Sequence, residues 1–403
     1  MKGWSVTDTA ASGSRPTLGV AMVGYAFMGA AHSQGWRNAH HFFDLGVTPE
    51  MRLLCGRTEE ATAAAAAKLG WASYVTDWRE IIEHDDIDVV DICTPGDSHE
   101  EIAVAALEAG KHVLCEKPLA NTAAEAERMT AAAERAQAKG VLSMVGFNYR
   151  RVPALALARQ LIDDGRIGDI RHIRCQYLQD WILDPAFPLV WRLQKDKAGS
   201  GALGDIGAHS IDLASFLTGQ RLTGVSGRLE TFIEERPLPE SATGLSGSGG
   251  TDTGHVTVDD AAAFFGRTDG GALATFEATR FAGGRKNAMR IEVNGSLGSL
   301  AFDFESMNEL QVYDATAPSS DAGFRRILAT DPDHPYVGAW WPPGHGLGYE
   351  HTFVHEIADF TADIAAGRPP TPSFADGLAV QRVLDAVERS SADESRWTPV
   401  EGS

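Results

Sequence analysis

From residue 18 to residue 145 the chain repeats one pattern, a short apolar run followed by an alanine-rich helical stretch, and this alternation constrains its fold more than any other feature. Apolar runs of strand length lie at residues 18–23, 51–55, 89–93, 112–115 and 141–145. Between them come helical stretches at 59–69, 78–83, 98–110 and 122–139. Gly70 closes the first of these stretches, and Ser98 with Glu101 and Thr122 with Glu125 have the spacing of capping boxes. Strands separated by helices pair in parallel through right-handed crossovers, so a doubly wound parallel sheet with helices on both faces is expected.

Open sheets of this kind bind ligands beyond the carboxyl ends of their strands. Gly24-Tyr25-Ala26-Phe27-Met28-Gly29 follows the first strand and leads into a small-residue helix start. Strand, glycine turn and helix form the context in which backbone amides hold a pyrophosphate. Ala26 stands where G-x-G-x-x-G has its middle glycine, and the segment also suits a plain strand-to-helix packing turn. The second strand ends in Gly56-Arg57-Thr58, where an acid for the ribose hydroxyls is usual. Arg57 is suited to stack on adenine or to meet a 2′-phosphate, so NAD and NADP both stay open. The fourth strand runs into Thr94-Pro95-Gly96-Asp97-Ser98-His99. The fifth ends abruptly in Glu116-Lys117-Pro118, which sets a lysine at the mouth of the crevice and a proline that fixes how the chain leaves it. The plain alternative is a solvated Glu-Lys pair in a surface turn.

After Gly146 the rhythm changes. A helix at 153–163 precedes a strand at 170–178, and strands with alternating or β-branched character follow at 261–265, 272–278 and 289–293. Turns such as Asn294-Gly295 separate them, so a mainly antiparallel sheet is expected. One helix, about 205–217, is embedded in this region and carries Asp205 and His209 four residues apart, on one face and one turn from each other. Residues 235–255, rich in Gly, Ser, Pro and Thr, read as a flexible loop, and the segments 348–367 and 374–391 as helices around Pro369-Pro370-Thr371-Pro372. The expected organisation is a loose arm over 1–16, a dinucleotide-binding domain over 17–146, and a substrate and assembly domain over 147–403 whose last helices are free to pack back on the first domain.

With 403 residues and 43% hydrophobic content the chain can bury two cores. A formal charge of −20 repels nucleic acid and anionic membranes, and no segment reaches the length of a membrane span. Cys55, Cys93, Cys115 and Cys175 are scattered in apolar runs, with neither zinc nor disulfide spacing, which fits a reducing cytoplasm. His40-His41 has no partner ligand at metal spacing, so no metal is expected.

Taken together, Gly24 to Gly29, Thr94-Pro95 with His99, Glu116-Lys117-Pro118, and Gly204-Asp205-Ile206-Gly207-Ala208-His209 with Asp212 resemble the Gfo/Idh/MocA oxidoreductases across nearly the whole chain. Closer matches lie at Phe147 to Pro153, Tyr177 to Trp181, Trp191-Arg192 with Lys195, Ala198 to Ile206, and Pro372 to Gly377. These resemble the branch that contains levoglucosan dehydrogenase and related glycoside 3-dehydrogenases. Ala26, Gly56-Arg57 and Gly96 depart from the family pattern, and all three bear on the grip on cofactor. The resemblance implies an N-terminal Rossmann domain and a C-terminal α/β domain whose broad sheet often joins dimers or tetramers. It further implies hydride transfer between NAD or NADP and a secondary hydroxyl of a sugar, anhydrosugar or glycoside.

Such chemistry needs a base for the hydroxyl proton and a fixed positive charge for the developing alkoxide. By the family correspondence Lys117, Asp205 and His209 form the catalytic set, with Lys117 as the charge or, if its pKa is lowered in the crevice, a base. His209 suits the base, and Asp205 would orient substrate or His209. Asp212 reads as a support. The candidate cofactor residues are Gly24, Ala26, Phe27, Met28, Gly29, Arg57, Thr94, Pro95, His99, Glu116 and Lys117. A sugar needs polar partners round its rim and an apolar face beneath it. Tyr149, Arg150, Gln179, Asp180, Trp181, Trp191 and Arg192, with Lys117, Asp205 and His209, supply both, although each aromatic equally suits core packing. Two other readings use the same scaffold. One is a glycosidase working by transient oxidation, elimination, hydration and re-reduction; the other is a sugar sensor, which would need neither Lys117 nor His209.

Overall fold

A computed structural model describes residues 15–243 and 246–402; residues 1–14 of the expected N-terminal arm lie outside that span. The first half runs β1 (Thr17–Val23), α1 (Phe27–Phe42), β2 (Thr48–Cys55), α2 (Glu59–Leu69), β3 (Ser73–Val75), α3 (Trp78–Glu83), β4 (Val89–Ile92), α4 (His99–Glu108), β5 (His112–Cys115), α5 (Ala123–Gln137) and β6 (Ser143–Val145). Its six strands form one parallel sheet in the order β3-β2-β1-β4-β5-β6. Because side chains alternate across a strand, each strand serves two cores. Val20, Met22, Leu54, Val89, Leu114 and Met144 face one side, and Ala21, Val23, Leu53, Val90, Ile92, Val113 and Val145 the other.

The second half runs α6 (Pro153–Asp163), β7 (Ile170–Leu178), α7 (Lys195–Ala198), α8 (Ala208–Thr218), β8 (Leu222–Glu230), β9 (Glu235–Thr243), β10 (Ser246–His255), β11 (Ala261–Thr268), β12 (Leu273–Thr279), β13 (Ala288–Gly295), β14 (Gly298–Asp303), β15 (Glu309–Asp314), β16 (Arg325–Leu328), α9 (Tyr349–Ala366), α10 (Phe374–Ala392) and β17 (Thr398–Pro399). Nine strands form a second sheet in the order β16-β15-β14-β13-β7-β12-β11-β8-β17, antiparallel throughout except where β7 meets β12. α8 and α10 lie against this sheet, whereas α9 crosses back to the first domain. There Val354, Ile357, Ala358 and Phe360 close the core under β1, β4, β5 and β6 together with Trp36 of α1.

Three local expectations are corrected. Residues 235–255 are not a loose loop: β9 and β10 pair as an antiparallel ribbon. Its root is fixed by Arg236, fully buried, which donates to the backbone carbonyls of Ile182, Asp184 and Phe187. Those long-range bonds outweigh the turn-forming composition. Ser98 and Glu101 make no capping box. Residues 96–98 already form a tight turn, so the Ser98 hydroxyl donates back to Thr94 Oγ1 and Pro95 O, and Glu101 pairs with Arg79. The Thr122 and Glu125 capping box is present as expected. Finally, the helix expected at 205–217 opens with a π-helical turn, Leu203–Gly207, before α8 begins.

Candidate active site

The two domains meet over the carboxyl ends of β1, β4 and β5, and three turns define the crevice. At Gly24 the backbone has φ +96°, and a Cβ there would lie 2.7 Å from the Cys93 carbonyl oxygen, so the β1 turn presses against the end of β4 and needs glycine. α1 then starts at Ala26 with no capping side chain and no acid in its first turn. Its first N–H groups are thus left for an anion, which fits a dinucleotide pyrophosphate. Phe27 is 45% exposed and stacks on Tyr349 of α9, with centroids 6.1 Å apart and planes 3° apart. Met28 is half-buried beside it and Gly29 is buried. Arg57 is exposed at the end of β2 and precedes Glu59 and Glu60 in the first turn of α2. Thr94 and Pro95 are half-buried where β4 ends.

Two of the expected cofactor residues are spent within the protein. His99 is buried, with Nδ1 3.1 Å from Pro118 O and 3.2 Å from Leu119 O, and Nε2 2.9 Å from Thr94 O. It fastens the β4 turn to the β5 turn. Glu116 is buried too: Oε1 receives His32 Nε2 at 2.9 Å, and Oε2 receives the Lys117 backbone N–H at 3.0 Å. His32 reaches Asp91 through Nδ1 at 3.0 Å, and Asp91 also receives Trp36 Nε1 at 2.7 Å. Burial acts to lower the pKa of His32, but Asp91 outweighs it and raises the group well above its ordinary value, so an imidazolium bridges two carboxylates. His32, Asp91 and Cys93 converge as metal ligands would, yet burial pushes the Cys93 thiol up and keeps it protonated, a poor ligand state.

Lys117 stands on this platform. Its Nζ donates to the Asp205 backbone carbonyl at 2.6 Å and lies 3.6 Å from Asp205 Oδ1. The π-helical turn widens the helix just where Asp205 must face the lysine, a common use of such turns. Burial pushes the Asp205 carboxyl up, but Lys117, Arg192 and Arg280 outweigh it and hold the group below its ordinary value. His209, in the first turn of α8, is buried against Tyr149, whose ring stacks on it at 4.4 Å and 21°. Burial, reinforced by the Lys117 charge, holds His209 well below its ordinary value, and its Nδ1 has no hydrogen-bond partner. The imidazole is therefore neutral at physiological pH. The expectation that Asp205 orients His209 is not met: among the described residues no hydrogen bond joins them, because Asp205 turns to its cations instead.

The expected substrate residues divide into two groups. Tyr149 Oη lies 2.6 Å from Tyr177 Oη, Tyr177 donates to Asn287 Oδ1 at 2.6 Å, and Gln179 donates to the same oxygen at 3.0 Å. Trp181 Nε1 then donates to Gln179 Oε1 at 3.0 Å. This chain links one wall of the crevice from His209 to Trp181. Arg192 stacks on Trp191 at 4.3 Å, and the Arg192 charge is felt at Asp205. Arg150 and Asp180 stand apart. Arg150 forms a forked, buried pair with Asp212, at 2.9 and 2.5 Å, and its Nη1 donates to Thr371 Oγ1 at 3.3 Å, which consumes its guanidinium. Asp180 accepts from Lys286 Nζ at 2.7 Å and Gly284 N–H at 3.0 Å. Sequence reasoning missed Tyr177, Asn287, Asp259 and Arg280. Tyr177 lay inside a matched segment, at the end of an expected strand, and was not singled out; the other three carry no local signal.

The chain is similar to known families and solved structures over nearly its whole length. Residues 18–147 match the family described as an oxidoreductase family with an NAD-binding Rossmann fold, and residues 155–301 match the GFO/IDH/MocA C-terminal domain. The chain is 44% identical to levoglucosan dehydrogenase from Pseudarthrobacter phenanthrenivorans over 95% of its own length and 98% of that protein's. A crystal structure of an oxidoreductase domain protein from Kribbella flavida superposes with a TM-score of 0.91 at 65% identity, covering 96% of this chain and 99% of that one. A levoglucosan dehydrogenase in complex with NADH and levoglucosan superposes with a TM-score of 0.89 at 43% identity, covering 96% and 100%.

Proposed function

The chain belongs to the Gfo/Idh/MocA oxidoreductases, and on that premise we propose that it is an NAD-dependent sugar dehydrogenase that oxidises a secondary hydroxyl, at C3, of an anhydrosugar or glycoside related to levoglucosan. The observation that carries this reading is the convergence of the Lys117 cation, the Asp205 anion and a neutral His209 beneath a wall of aromatic and amide side chains.

NAD, when bound, supplies the hydride acceptor, and the free amides opening α1 together with Gly24, Ala26, Phe27, Met28, Gly29, Thr94 and Pro95 would hold it. His209, unprotonated, takes the proton of the reacting hydroxyl. Lys117 keeps donor capacity beyond the Asp205 carbonyl and steadies the alkoxide. Asp205, anionic, accepts from a neighbouring hydroxyl and so sets the ring over the base. Trp181 and Trp191 supply apolar faces, and Gln179 and Arg192 supply rim donors. NAD is favoured over NADP because Glu59 and Glu60 open α2 beside Arg57, an acidic setting for a 2′-phosphate. Elimination chemistry is disfavoured at Tyr149, since burial pushes its phenol up to about 12, too high for a ready base. A homodimer or homotetramer built on the nine-stranded sheet belongs to the same proposal; light scattering reads its size.

The test is to incubate the purified protein with NAD or NADP and levoglucosan, free sugars or aryl glycosides, following reduced nicotinamide and released aglycone together. Stoichiometric NADH without aglycone is expected. Aglycone release needing only catalytic cofactor would replace the dehydrogenase with a redox-cycling glycosidase.

A further inference from the structure

Arg280 follows β12 directly, and its side chain is fully buried at the back of the crevice, yet none of the steps above uses it. Its Nη2 donates to the Asp259 carbonyl at 3.0 Å and its Nη1 to the Arg192 carbonyl at 3.4 Å. Nη1 also lies 3.6 Å from Asp205 Oδ2, and the guanidinium sits 5.5 Å from the ring centre of Trp181. Asp259 accepts from the N–H groups of Gly201 at 2.7 Å and Leu203 at 2.8 Å, the entry to the π-helical turn. Arg280 therefore grips the turn that carries Asp205 at its root and at its carboxylate. The same fork reaches both walls where a sugar would lie. Its Nε is buried without a partner, a cost that a purely architectural arginine gives no reason to keep.

The Asp205 carboxylate lies between two cations, with Lys117 3.6 Å from Oδ1 and Arg280 3.6 Å from Oδ2. Rotation about Cβ–Cγ would break one contact to improve the other, so the pair fixes the plane of the carboxylate. Facing it besides are Arg192 and, further off, the phenols of Tyr149 and Tyr177. We propose that Arg280 is a positioning residue for hydride transfer: it fixes the Asp205 carboxylate relative to Lys117 and locks that orientation to the Trp181 and Arg192 walls, so that alignment of the sugar, and not grip on the cofactor, depends on it. A lysine cannot replace it, because one ammonium cannot reach the Asp259 and Arg192 carbonyls together with Asp205. This inference rests on the dehydrogenase reading.

The experiment compares wild type, Arg280→Met and Arg280→Lys in kcat and KM for levoglucosan at saturating NAD, in NADH affinity by fluorescence titration, and in the pH profile. In Arg280→Met, kcat/KM should fall about 100-fold, the loss typical of one preorganised donor, with KM raised. Its acid limb should move to higher pH as Asp205 loses a cation, while NADH affinity stays within about twofold of wild type. Arg280→Lys should restore the acid limb and keep wild-type NADH affinity, with kcat/KM still about tenfold down. NADH affinity falling in step with kcat/KM at an unchanged pH profile would make Arg280 merely structural and overturn the proposal, as would a fully active Arg280→Lys. If Arg280→Met does not fold, Arg280→Lys decides alone by the same two criteria. Wild-type protein that binds NADH but reduces no NAD with any sugar overturns the dehydrogenase reading itself, and this one with it.

Discussion

Lys117 acts on His209 twice, once by sharing the crevice and once by its charge, and the second effect can be removed. In Lys117→Met the His209 imidazole, followed by NMR titration, should rise toward its ordinary value yet stay below it, since burial remains the larger cause. A rise fully to the ordinary value would show that the charge, not burial, dominates. His209→Asn should lower kcat/KM by about 10²–10⁴ with NADH affinity retained, the range for loss of a general base. His209 also costs stability in acid: neutral when folded and protonated when unfolded, it destabilises the protein as pH falls below 6.5. Single residues were unevenly legible. Lys117 announced itself by ending an apolar strand, and His209 by its helix spacing from Asp205. Arg280 looked like any arginine closing a strand, because its partners Asp205, Arg192 and Asp259 come from three other segments. Arg150 misled for the converse reason: its fork is satisfied by Asp212, far along the chain.

At the scale of elements, the parallel sheet was readable because apolar runs and helices largely alternate to residue 145, and few topologies accept that order; only the three-residue β3 between α2 and α3 went unread. The ribbon of β9 and β10 was not, since Gly, Ser and Pro argue locally for a loop and only Arg236 and its three carbonyl partners hold the strands in place. The π-helical turn was equally hidden, as its cause is Asp259 capping Gly201 and Leu203 from outside the helix. Gly201 tests that account. A Cβ there would lie 1.7 Å from the Asp259 carbonyl oxygen, backbone that cannot yield without moving the turn. Gly201→Ala should cost about 1–3 kcal/mol, seen as a lower melting temperature, and should depress kcat/KM by misplacing Asp205. Unchanged stability and activity would remove Asp259 as the anchor of the turn.

At the scale of the molecule, two helices join the halves: α10 packs on α5 as well as on β8, and α9 packs on α1. A helix at 348–367 was legible, and so was its freedom to pack back on the first domain, but the face it covers was not, because a helical pattern does not name a partner. The join contains Glu356, buried 3.9 Å from Arg151 Nη1, with both carboxyl oxygens lacking hydrogen bonds. Burial outweighs Arg151 and pushes this carboxyl up to about 8, while Arg151 itself is engaged by Asp359. The folded state therefore holds a proton that the unfolded chain releases near its ordinary carboxyl value, and stability must fall as pH rises from there through about 8. Glu356→Gln should flatten that decline and raise the melting temperature at pH 9 by several degrees, at about 2–4 °C per kcal/mol; scanning calorimetry across pH would read it. The crossing of α9 has a further consequence, in time. A ribosome releases β6 some 200 residues before it releases α9, an interval of about 10–40 s at ~5–20 residues per second. Throughout that interval the face carrying Val20, Met22, Leu54, Leu114 and Met144 has Trp36 and Ala39 of α1 against it but lacks Val354, Ile357, Ala358 and Phe360. A message truncated after Gly146 would yield a sticky fragment for chaperones and proteases, and the halves of this protein cannot be traded between genes unless α9 travels with the first.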